Sequence, residues 1–277
     1  MLFSNRLLAL SAALLLTACD GVTWWSGVRG DRQEAASLFM RARDSDMGAY
    51  RQLEERVQAK DHYAAFYLGR LEQHSSSTSV REDSARNYVS ALPLNGARFN
   101  LAILWLDGIR IRGTDSAVDL LEAAAKDGHV PSMLLLATVF ESGRPDVPKN
   151  TALAKQWYQK AIDVDKSAYA ELRLGALLQA AGEAVAAEKL LISAAKYGFP
   201  EAQYRLAALS RDPRVAAQWK VAASLGDLVY AADARRALAV LTPEDAAMAD
   251  YNARMWVHVF RNDRFVKPAI GQPSETP

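Results

Sequence analysis

The stretch "LATVFESGRPDVPKNTALAKQWYQKAI" (136–162) determines how the rest of the chain can be interpreted. It begins inside one helical pattern, passes through a short turn around Gly143, and enters a second helical pattern with apolar residues at intervals of three and four. This order predicts a pair of helices joined by a short connection. One pair cannot bury its apolar face alone, so the stretch also predicts that similar pairs stack against it.

The first half of this pair recurs along the chain. Each copy has a small residue in first place, a bulky residue two places on, leucine in fifth place and glycine or alanine in sixth place. The copies are "AAFYLG" (64–69), "ARFNLA" (97–102), "SMLLLA" (132–137), "AELRLG" (170–175), "AQYRLA" (202–207) and "ARRALA" (234–239). They begin every 32 to 38 residues, a period that is typical of stacked helical repeats.

A second pattern lies between these copies. It is seen in "AVDLLEAAAKDG" (117–128), "ALAKQWYQKAID" (152–163), "AAEKLLISAAKYG" (186–198) and "AAQWKVAASLG" (216–226). A bulky pair is followed one helical turn later by a small pair, which places both on one face and lets a neighbouring helix approach closely. Gly128, Gly198 and Gly226 close three of these stretches, and we expect each just past a helix end in the left-handed conformation.

These residues resemble the Sel-one-like repeat, a relative of the tetratricopeptide repeat. Residues in register with that repeat are Gly143, Val147, Ala154, Trp157, Tyr158, Lys160 and Ala161, while Asn150 replaces the usual aspartate. The other units match less completely, and about six units fit between residues 31 and 260. The resemblance implies an all-α fold, a right-handed superhelical solenoid of antiparallel helix pairs over residues 32–265.

The last helical stretch, "LTPEDAAMADYNARMWVHVF" (241–260), predicts the closing helix of the array. Thr242 and Pro243 form a strong helix start. One apolar face is expected from Met248, Met255, Trp256, Val259 and Phe260. Residues 266–277 are rich in proline and poor in apolar residues, which predicts a disordered tail.

The only cysteine, Cys19, follows an apolar run that is too short to span a membrane but fits a signal peptide over residues 1–18. Leu16-Thr17-Ala18-Cys19 resembles the bacterial lipobox, which implies cleavage before Cys19 and attachment of diacylglyceryl and palmitate-type acyl chains. Residues 19–31 then form a lipidated tether. The resemblance implies a periplasm-facing lipoprotein of the bacterial cell envelope, and Asp20 resembles a signal for retention at the inner membrane.

The composition argues against several classes of function. Lysine and arginine total 33 and aspartate and glutamate total 32, a balance that argues against nucleic acid as the main ligand. The four histidines fall in different units without a second metal ligand nearby, so neither a metal nor another cofactor is expected. The acidic "DSD" (44–46) is interpreted as a helix cap. No nucleophile and base motif is found, so we expect no enzyme activity.

Recognition of another protein remains as the predicted function. In such repeats the first helices line the concave surface, and polar residues after the Leu-Gly or Leu-Ala step point into it. The candidate contact residues are Arg70, Gln73, His74, Asp107, Thr138, Glu141, Gln179 and Arg211. We expect a scaffold or adaptor for another envelope or secreted protein, for example in exopolysaccharide export. An immunity protein against a type VI secretion phospholipase effector, and an envelope hydrolase, stay open as alternatives.

Replacing Cys19 by alanine is expected to move the protein from the membrane fraction to the soluble periplasmic fraction. Two or three acyl chains hold a protein stably on a membrane, and the apolar signal segment is removed by cleavage. Without Cys19 the protein would therefore have no anchor. Cell fractionation measures the location of the protein, and incorporation of labelled palmitate measures its acylation. Thr23→Ala serves as a control that leaves the lipobox intact. Continued membrane attachment of the Cys19→Ala protein would contradict the anchor.

Overall fold

A computed structural model describes residues 29–92 and 94–262, with side chains from residue 32 to residue 260 apart from Pro93. The predicted signal peptide, the lipidation site Cys19, most of the tether and the predicted tail at 266–277 lie outside the described residues. Within those residues the contacts group into two compact units that divide between Leu136 and Ala137.

The described residues form fourteen α-helices joined by short loops, with no strand among them, so the prediction of an all-α fold is confirmed. The helices are α1 (Arg29–Arg43), α2 (Met47–Gln58), α3 (His62–Glu72), α4 (Thr78–Ser90), α5 (Asn95–Leu106), α6 (Ala117–Lys126), α7 (Val130–Ser142), α8 (Thr151–Asp165), α9 (Ala168–Ala180), α10 (Ala184–Lys196), α11 (Pro200–Leu209), α12 (Pro213–Gly226), α13 (Ala231–Ala239) and α14 (Pro243–Asn262). A short 3₁₀ turn, Leu228–Tyr230, precedes α13.

The helices follow the two sequence patterns. The six recurring stretches lie in α3, α5, α7, α9, α11 and α13, and each is followed by a second helix. The helices α1 and α2 make one further pair before them. Partners within a pair pack on each other, as α3 does on α4, and α9 on α10. Successive pairs also pack, as α10 does on α11, which is the stacking that the repeat period predicts.

The signature positions of the repeat form the core. The first residue of every copy is almost fully buried, from Ala64 at the start of the series to Ala234 at its end. The fifth-place leucines are buried in the first five copies. In the second helices the bulky and small pairs are buried together, as Leu121 and Ala124 are in α6. The periodicity of the sequence therefore identified the residues that hold the helices together.

The sixth place must be small because a bulky residue of the following helix packs against it. A Cβ atom added to Gly69 would lie 3.0 Å from the ring of Tyr88 on α4. A Cβ atom added to Gly175 would lie 2.9 Å from Leu191 Cγ on α10. Real Cβ contacts are rarely so short, so these two glycines set how closely the paired helices approach.

Most of the predicted helix ends are confirmed. Asp46, in the acidic "DSD" stretch, caps α2 by accepting hydrogen bonds from the backbone N–H groups of Gly48 and Ala49. Gly128 and Gly198 have positive φ angles of 83° and 77° after α6 and α10, as predicted. The prediction for Gly226 is wrong, because this residue is the last one inside α12.

A close contact explains why Gly226 is a glycine. A Cβ atom on Gly226 would lie 2.7 Å from Pro200 Cγ at the start of α11. The missing side chain therefore serves the packing of two helices, and the backbone does not need a left-handed conformation there.

The closing helix α14 begins as predicted, with Thr242 Oγ1 accepting a hydrogen bond from the Asp245 N–H group. The prediction of one apolar face is wrong. Trp256 packs in the core, whereas Met248, Met255 and Val259 are 56%, 42% and 44% exposed. These three exposed residues share one stripe, which lies roughly 100° around the helix axis from Trp256 and Phe260. Helix α12 covers the side of α14 that carries small alanines such as Ala253. No helix in the described ranges is both long and apolar enough to cross a membrane.

His129 is a buried titratable group in the first unit. It is 7% exposed, its Nδ1 atom lies 2.8 Å from Ser132 Oγ, and its ring meets Phe99 edge to face at 5.6 Å. Its Nε2 atom has no hydrogen-bond partner among the described residues. Burial lowers the pKa of His129 from 6.5 to about 4, because the charged ring would lose its hydration.

The adjacent alanines Ala186 and Ala187 of α10 allow a matched test of the packing. Ala187 is fully buried and lies close to Gly175, whereas Ala186 is exposed. Ala187→Leu is expected to lower the free energy of unfolding by about 1–3 kcal/mol, because the extra atoms overfill a dense core. Ala186→Leu should change it by less than about 0.5 kcal/mol. Urea unfolding followed by circular dichroism measures both, and equal effects would contradict the packing described here.

Stability is expected to fall as the pH is lowered from 7 to 5. The unfolded chain protonates His129 below pH 6.5 while the folded protein resists protonation down to about pH 4, so acid favours the unfolded state. The loss attributable to this one histidine is about 2 kcal/mol at pH 5. Urea unfolding of His129→Asn should show this part of the pH dependence removed. The exposed His258→Asn serves as control, and an unchanged pH dependence in His129→Asn would refute the assignment.

Candidate partner-binding face

A row of polar side chains crosses the first helices of the second unit. We call it the polar ladder, and its members are Thr138 and Glu141 of α7, Arg173 and Gln179 of α9, and Glu201 and Arg205 of α11. Thr138 and Glu141 are three residues apart, so they lie on one side of α7, and Glu201 and Arg205, four residues apart, lie on one side of α11. All six are partly exposed, so the ladder is accessible from solvent while its members contact one another.

The centre of the ladder is the pair formed by Arg173 and Glu141. The guanidinium of Arg173 donates through Nη2 to Glu141 Oε1 and through Nε to Glu141 Oε2 at 3.3 Å. The hydroxyl of Tyr158 on α8 donates to Glu141 Oε2 at 2.7 Å, and Thr138 Oγ1 lies 3.3 Å from that hydroxyl. One phenol donor and a bidentate arginine therefore hold the Glu141 carboxylate in one orientation.

The ladder continues onto α11 through a second arginine. Arg205 donates to Glu201 Oε1 from Nε at 2.9 Å and from Nη2 at 2.8 Å, and its Nη1 atom donates to Gln179 Oε1 at 3.3 Å. Gln179 Nε2 in turn donates to the backbone carbonyl of Arg205 at 3.2 Å. Glu201 also lies 3.9 Å from Arg173 Nη1, so it links the two arginines.

The two arginines occupy equivalent places in the repeat. Arg173 and Arg205 are the fourth residues of "AELRLG" and "AQYRLA", and each reaches the tenth-place residue of the preceding first helix, Glu141 or Gln179. The same contact therefore occurs twice because stacking places successive first helices in the same register.

Burial and hydrogen bonding shift the pKa values of three groups in and beside the ladder. Burial raises the pKa of Tyr158, and the neighbouring Glu141 carboxylate raises it further. Burial also raises the pKa of Tyr169 on α9, so both phenols stay protonated near neutral pH. Burial lowers the pKa of Arg173, but its hydrogen bond to Glu141 outweighs this and the net pKa is raised. Near neutral pH the Arg173 charge therefore lies beside neutral phenol groups.

An arginine and three aromatic rings form a corresponding cluster in the first unit. The Arg70 guanidinium lies 5.1 Å from the ring centroid of Phe39 and 5.9 Å from that of Phe66. Tyr67 lies 5.1 Å from Phe39 and 5.3 Å from Phe66. Arginine and aromatic rings are enriched among residues that dominate binding energy at protein interfaces.

The other predicted contact residues belong to neither of these two groups. Gln73 accepts a hydrogen bond from the buried Tyr88 hydroxyl at 2.6 Å and contacts His74, so its role includes packing of α3 on α4. Asp107, the C-cap of α5, pairs with Arg81 at 3.3 Å. Arg211 is exposed in the loop between α11 and α12.

Of the six ladder residues, the sequence analysis named Thr138, Glu141 and Gln179 as candidates, but it did not name Arg173, Glu201 or Arg205. A signal was present in the sequence, since both arginines stand in fourth place of their copies, directly before the recurring fifth-place leucine. The fourth place shows no common residue type, however, because it holds a tyrosine, an asparagine and a leucine in the first three copies. Only the packed helices show which fourth-place residues reach a neighbour.

The described residues contain no cluster of three or more histidine, cysteine, aspartate or glutamate side chains able to hold a metal ion. Two tryptophans of the second helices pack against neighbouring side chains. Trp157 is buried at 8% exposure with the Lys160 ammonium 3.9 Å from its ring centroid, and Trp219 meets Trp256 edge to face at 4.8 Å.

Comparison with known proteins gives similarity in solved structures only. No protein-family model and no curated protein sequence matches the chain. One similar structure is a protective antigen present in uropathogenic Escherichia coli strains displaying an SLR fold, with 17% identity, a TM-score of 0.49, and coverage of 90% of this chain and 66% of that one. Another is a Sel1 repeat protein from Oxalobacter formigenes, with 22% identity, a TM-score of 0.53, and coverage of 76% and 65%.

The matched regions span just under two thirds of each of these two chains. At 22% identity, the likeness to the Oxalobacter formigenes protein is one of fold. It agrees with the paired helices, the buried first-place residues and the small sixth-place residues described above. The chain therefore has the Sel1-like repeat fold, which is the Sel-one-like fold that its sequence predicts.

Proposed function

We propose that this chain is an interaction protein of the bacterial cell envelope, which binds another protein through its first helices and catalyses no reaction. The observation that carries the proposal is the polar ladder, in which Arg173 and Arg205 make the same contact in successive repeats. Stacked helical repeats present such extended faces to macromolecular partners. The proposed role is that of a scaffold or adaptor.

The geometry of the ladder favours a protein ligand. Glu141 and Arg173 retain 16% and 27% side-chain exposure, so each keeps hydrogen-bonding capacity toward solvent after pairing. Mutual hydrogen bonds already restrict their rotamers, and this lowers the conformational entropy lost on binding. Basic and acidic groups alternate along the ladder, which suits a polar segment carrying both signs of charge.

The proposed location rests on the amino-terminal sequence. Leu16-Thr17-Ala18-Cys19 fits the lipobox at every position, which supports acylation of Cys19 and attachment to the envelope on the periplasmic side. A tether of residues 19–31 would then hold the repeat array near the membrane. Asp20 favours the inner membrane as the site of attachment.

The proposal is tested by crosslinking the full chain in the bacterium that encodes it and recovering its partner. Arg173→Gln combined with Arg205→Gln removes two charges but keeps an amide donor toward Glu141. Hydrogen bonds to charged groups contribute about 1.5–3 kcal/mol each, so recovery of the specific partner should fall at least about tenfold. Arg254→Gln, which changes an exposed arginine on α14, should leave recovery unchanged.

Thermal unfolding of each purified variant shows whether the fold is retained. Full recovery of the same partner by the folded double variant would refute the role of the ladder. The identity of the partner then separates the scaffold from the immunity protein, since the first should recover an envelope assembly component and the second a phospholipase effector.

A further inference from the structure

The helix α14 of the second unit carries an exposed apolar stripe. Its members are Met248, Tyr251, Met255 and Val259, which are 56%, 60%, 42% and 44% exposed. They are spaced by three, four and four residues, so they fall within roughly 80° of one another around the helix axis. We call these four residues the α14 stripe. Such spacing is typical of a helix face that packs against another helix.

The other side of α14 already has its packing partners. Ala253 is fully buried in a cluster with Val221 and Ala222 of α12, and Trp256 packs on Trp219. The core contacts of α14 therefore do not use the stripe. Terminal units of repeat arrays normally have a polar outer face. On α14, the last helix that the structure describes, the outer face is apolar, which indicates a further binding surface.

The stripe is self-complementary about its own centre. The midpoint between Met248 and Val259 lies within one residue of the midpoint between Tyr251 and Met255. A two-fold axis near residue 253 therefore places Met248 opposite Val259 of a second copy, and Tyr251 opposite Met255 of that copy. An interface between identical chains requires such a patch, because each contact must occur twice. Tyrosine and methionine are also enriched in the cores of protein interfaces.

The charges along α14 favour an antiparallel second copy. Glu244 and Asp245 make the first turn acidic, and by sequence the last turn contains the basic residue Arg261. Near the middle of the helix, Arg254 pairs with Asp250 at 2.7 Å, so these two charges balance each other. Antiparallel pairing brings the acidic end of one copy beside the basic end of the other. Parallel pairing would bring like charges together.

The size of the stripe predicts a weak dimer. A helix of 20 residues is about 30 Å long and about 10 Å wide, so one face of α14 covers about 300 Å². A standard stable complex buries about 800 Å² on each partner. Self-association through α14 should therefore depend on concentration. Acylation of Cys19, as proposed above, would confine the copies to one membrane and raise their effective concentration.

We propose that the α14 stripe binds the α14 stripe of a second copy of this chain, as an antiparallel helix pair about a two-fold axis. The stripe shares no residue with the polar ladder, so the inference adds self-association to the protein-binding role proposed above. A dimer would present two ladders, and a partner that contacts both would gain avidity.

Sedimentation equilibrium of the full chain carrying Cys19→Ala measures self-association without acyl chains or detergent. The dimer is expected to form with a Kd of about 10 µM to 1 mM, the range of weak complexes. Tyr251→Glu and Met248→Glu should each weaken it at least tenfold, because a carboxylate would lie in the apolar contact. Val185→Glu, which changes an exposed valine of α10, should leave it unchanged. Circular dichroism of each variant shows that the fold is retained.

Disulfide formation tests the antiparallel orientation. With Cys19→Ala already present, Met248→Cys combined with Val259→Cys should give covalent dimers on oxidation, because these positions face each other across the axis. Within one helix they are about 16 Å apart, too far for a disulfide, whose Cα atoms lie about 4–7 Å apart. Met248→Cys without Val259→Cys should give no covalent dimer. Covalent dimers of that single variant would indicate a parallel pair and contradict the proposal.

Three results would overturn the inference. The first is a monomer at protein concentrations up to about 1 mM. The second is equal weakening by Tyr251→Glu and Val185→Glu, which would indicate non-specific association. The third is a chain that dimerises only after residues 263–277 are removed, since its own carboxyl-terminal segment would then cover the stripe.

A different protein on the stripe would give another pattern. The chain would stay monomeric, and Tyr251→Glu would lose an envelope partner in crosslinked cells, which would also refute the proposed dimer. The Arg173→Gln and Arg205→Gln double variant should self-associate as the wild type does. Failure of the ladder and failure of the stripe are therefore distinguishable.

Discussion

The close approach of paired helices at small sixth-place residues is the constraint on which the rest of the structure depends. At Gly69 and Gly175 there is no room for a Cβ atom, because Tyr88 and Leu191 of the following helices already fill the space. Dense packing of this kind fixes the offset between the two helices of a pair, since a shift along the axis would place a bulky residue against another bulky residue.

Fixed pairs place successive first helices in a constant register. A fourth-place residue then lies at a constant distance from the tenth-place residue of the preceding first helix, and an arginine side chain is long enough to join them. This is why Arg173 meets Glu141 and Arg205 meets Gln179 in the same way. The candidate binding face is therefore a consequence of core packing, because the small sixth-place residues fix the register of the helices that carry its charges.

The sequence predicted the fold because burial follows the helical period. A residue that recurs at first or fifth place is expected to face the core in every repeat, and the first-place residues from Ala64 to Ala234 are all buried. The closing helix was harder to predict, since its apolar residues occupy two separate stripes. Only the packing of α12 against Ala253 shows that Met248 and Met255 lie on the uncovered stripe.

Contacts between helices distant in sequence could not be predicted by the same reasoning. Arg173 and Glu141 are 32 residues apart, and nothing in the sequence alone states that their helices are adjacent at those particular turns. The same holds for Gly226, whose role depends on Pro200 of another helix. Helix capping was predictable at Asp46 because its hydrogen bonds reach only two and three residues along the chain.

The polar ladder would contribute to recognition mainly through selectivity among partners. In the polar ladder each charge already has an opposite or neutral partner within the protein, so a ligand gains less from adding another polar contact there. Such a surface distinguishes partners mainly by rejecting those whose charges do not fit.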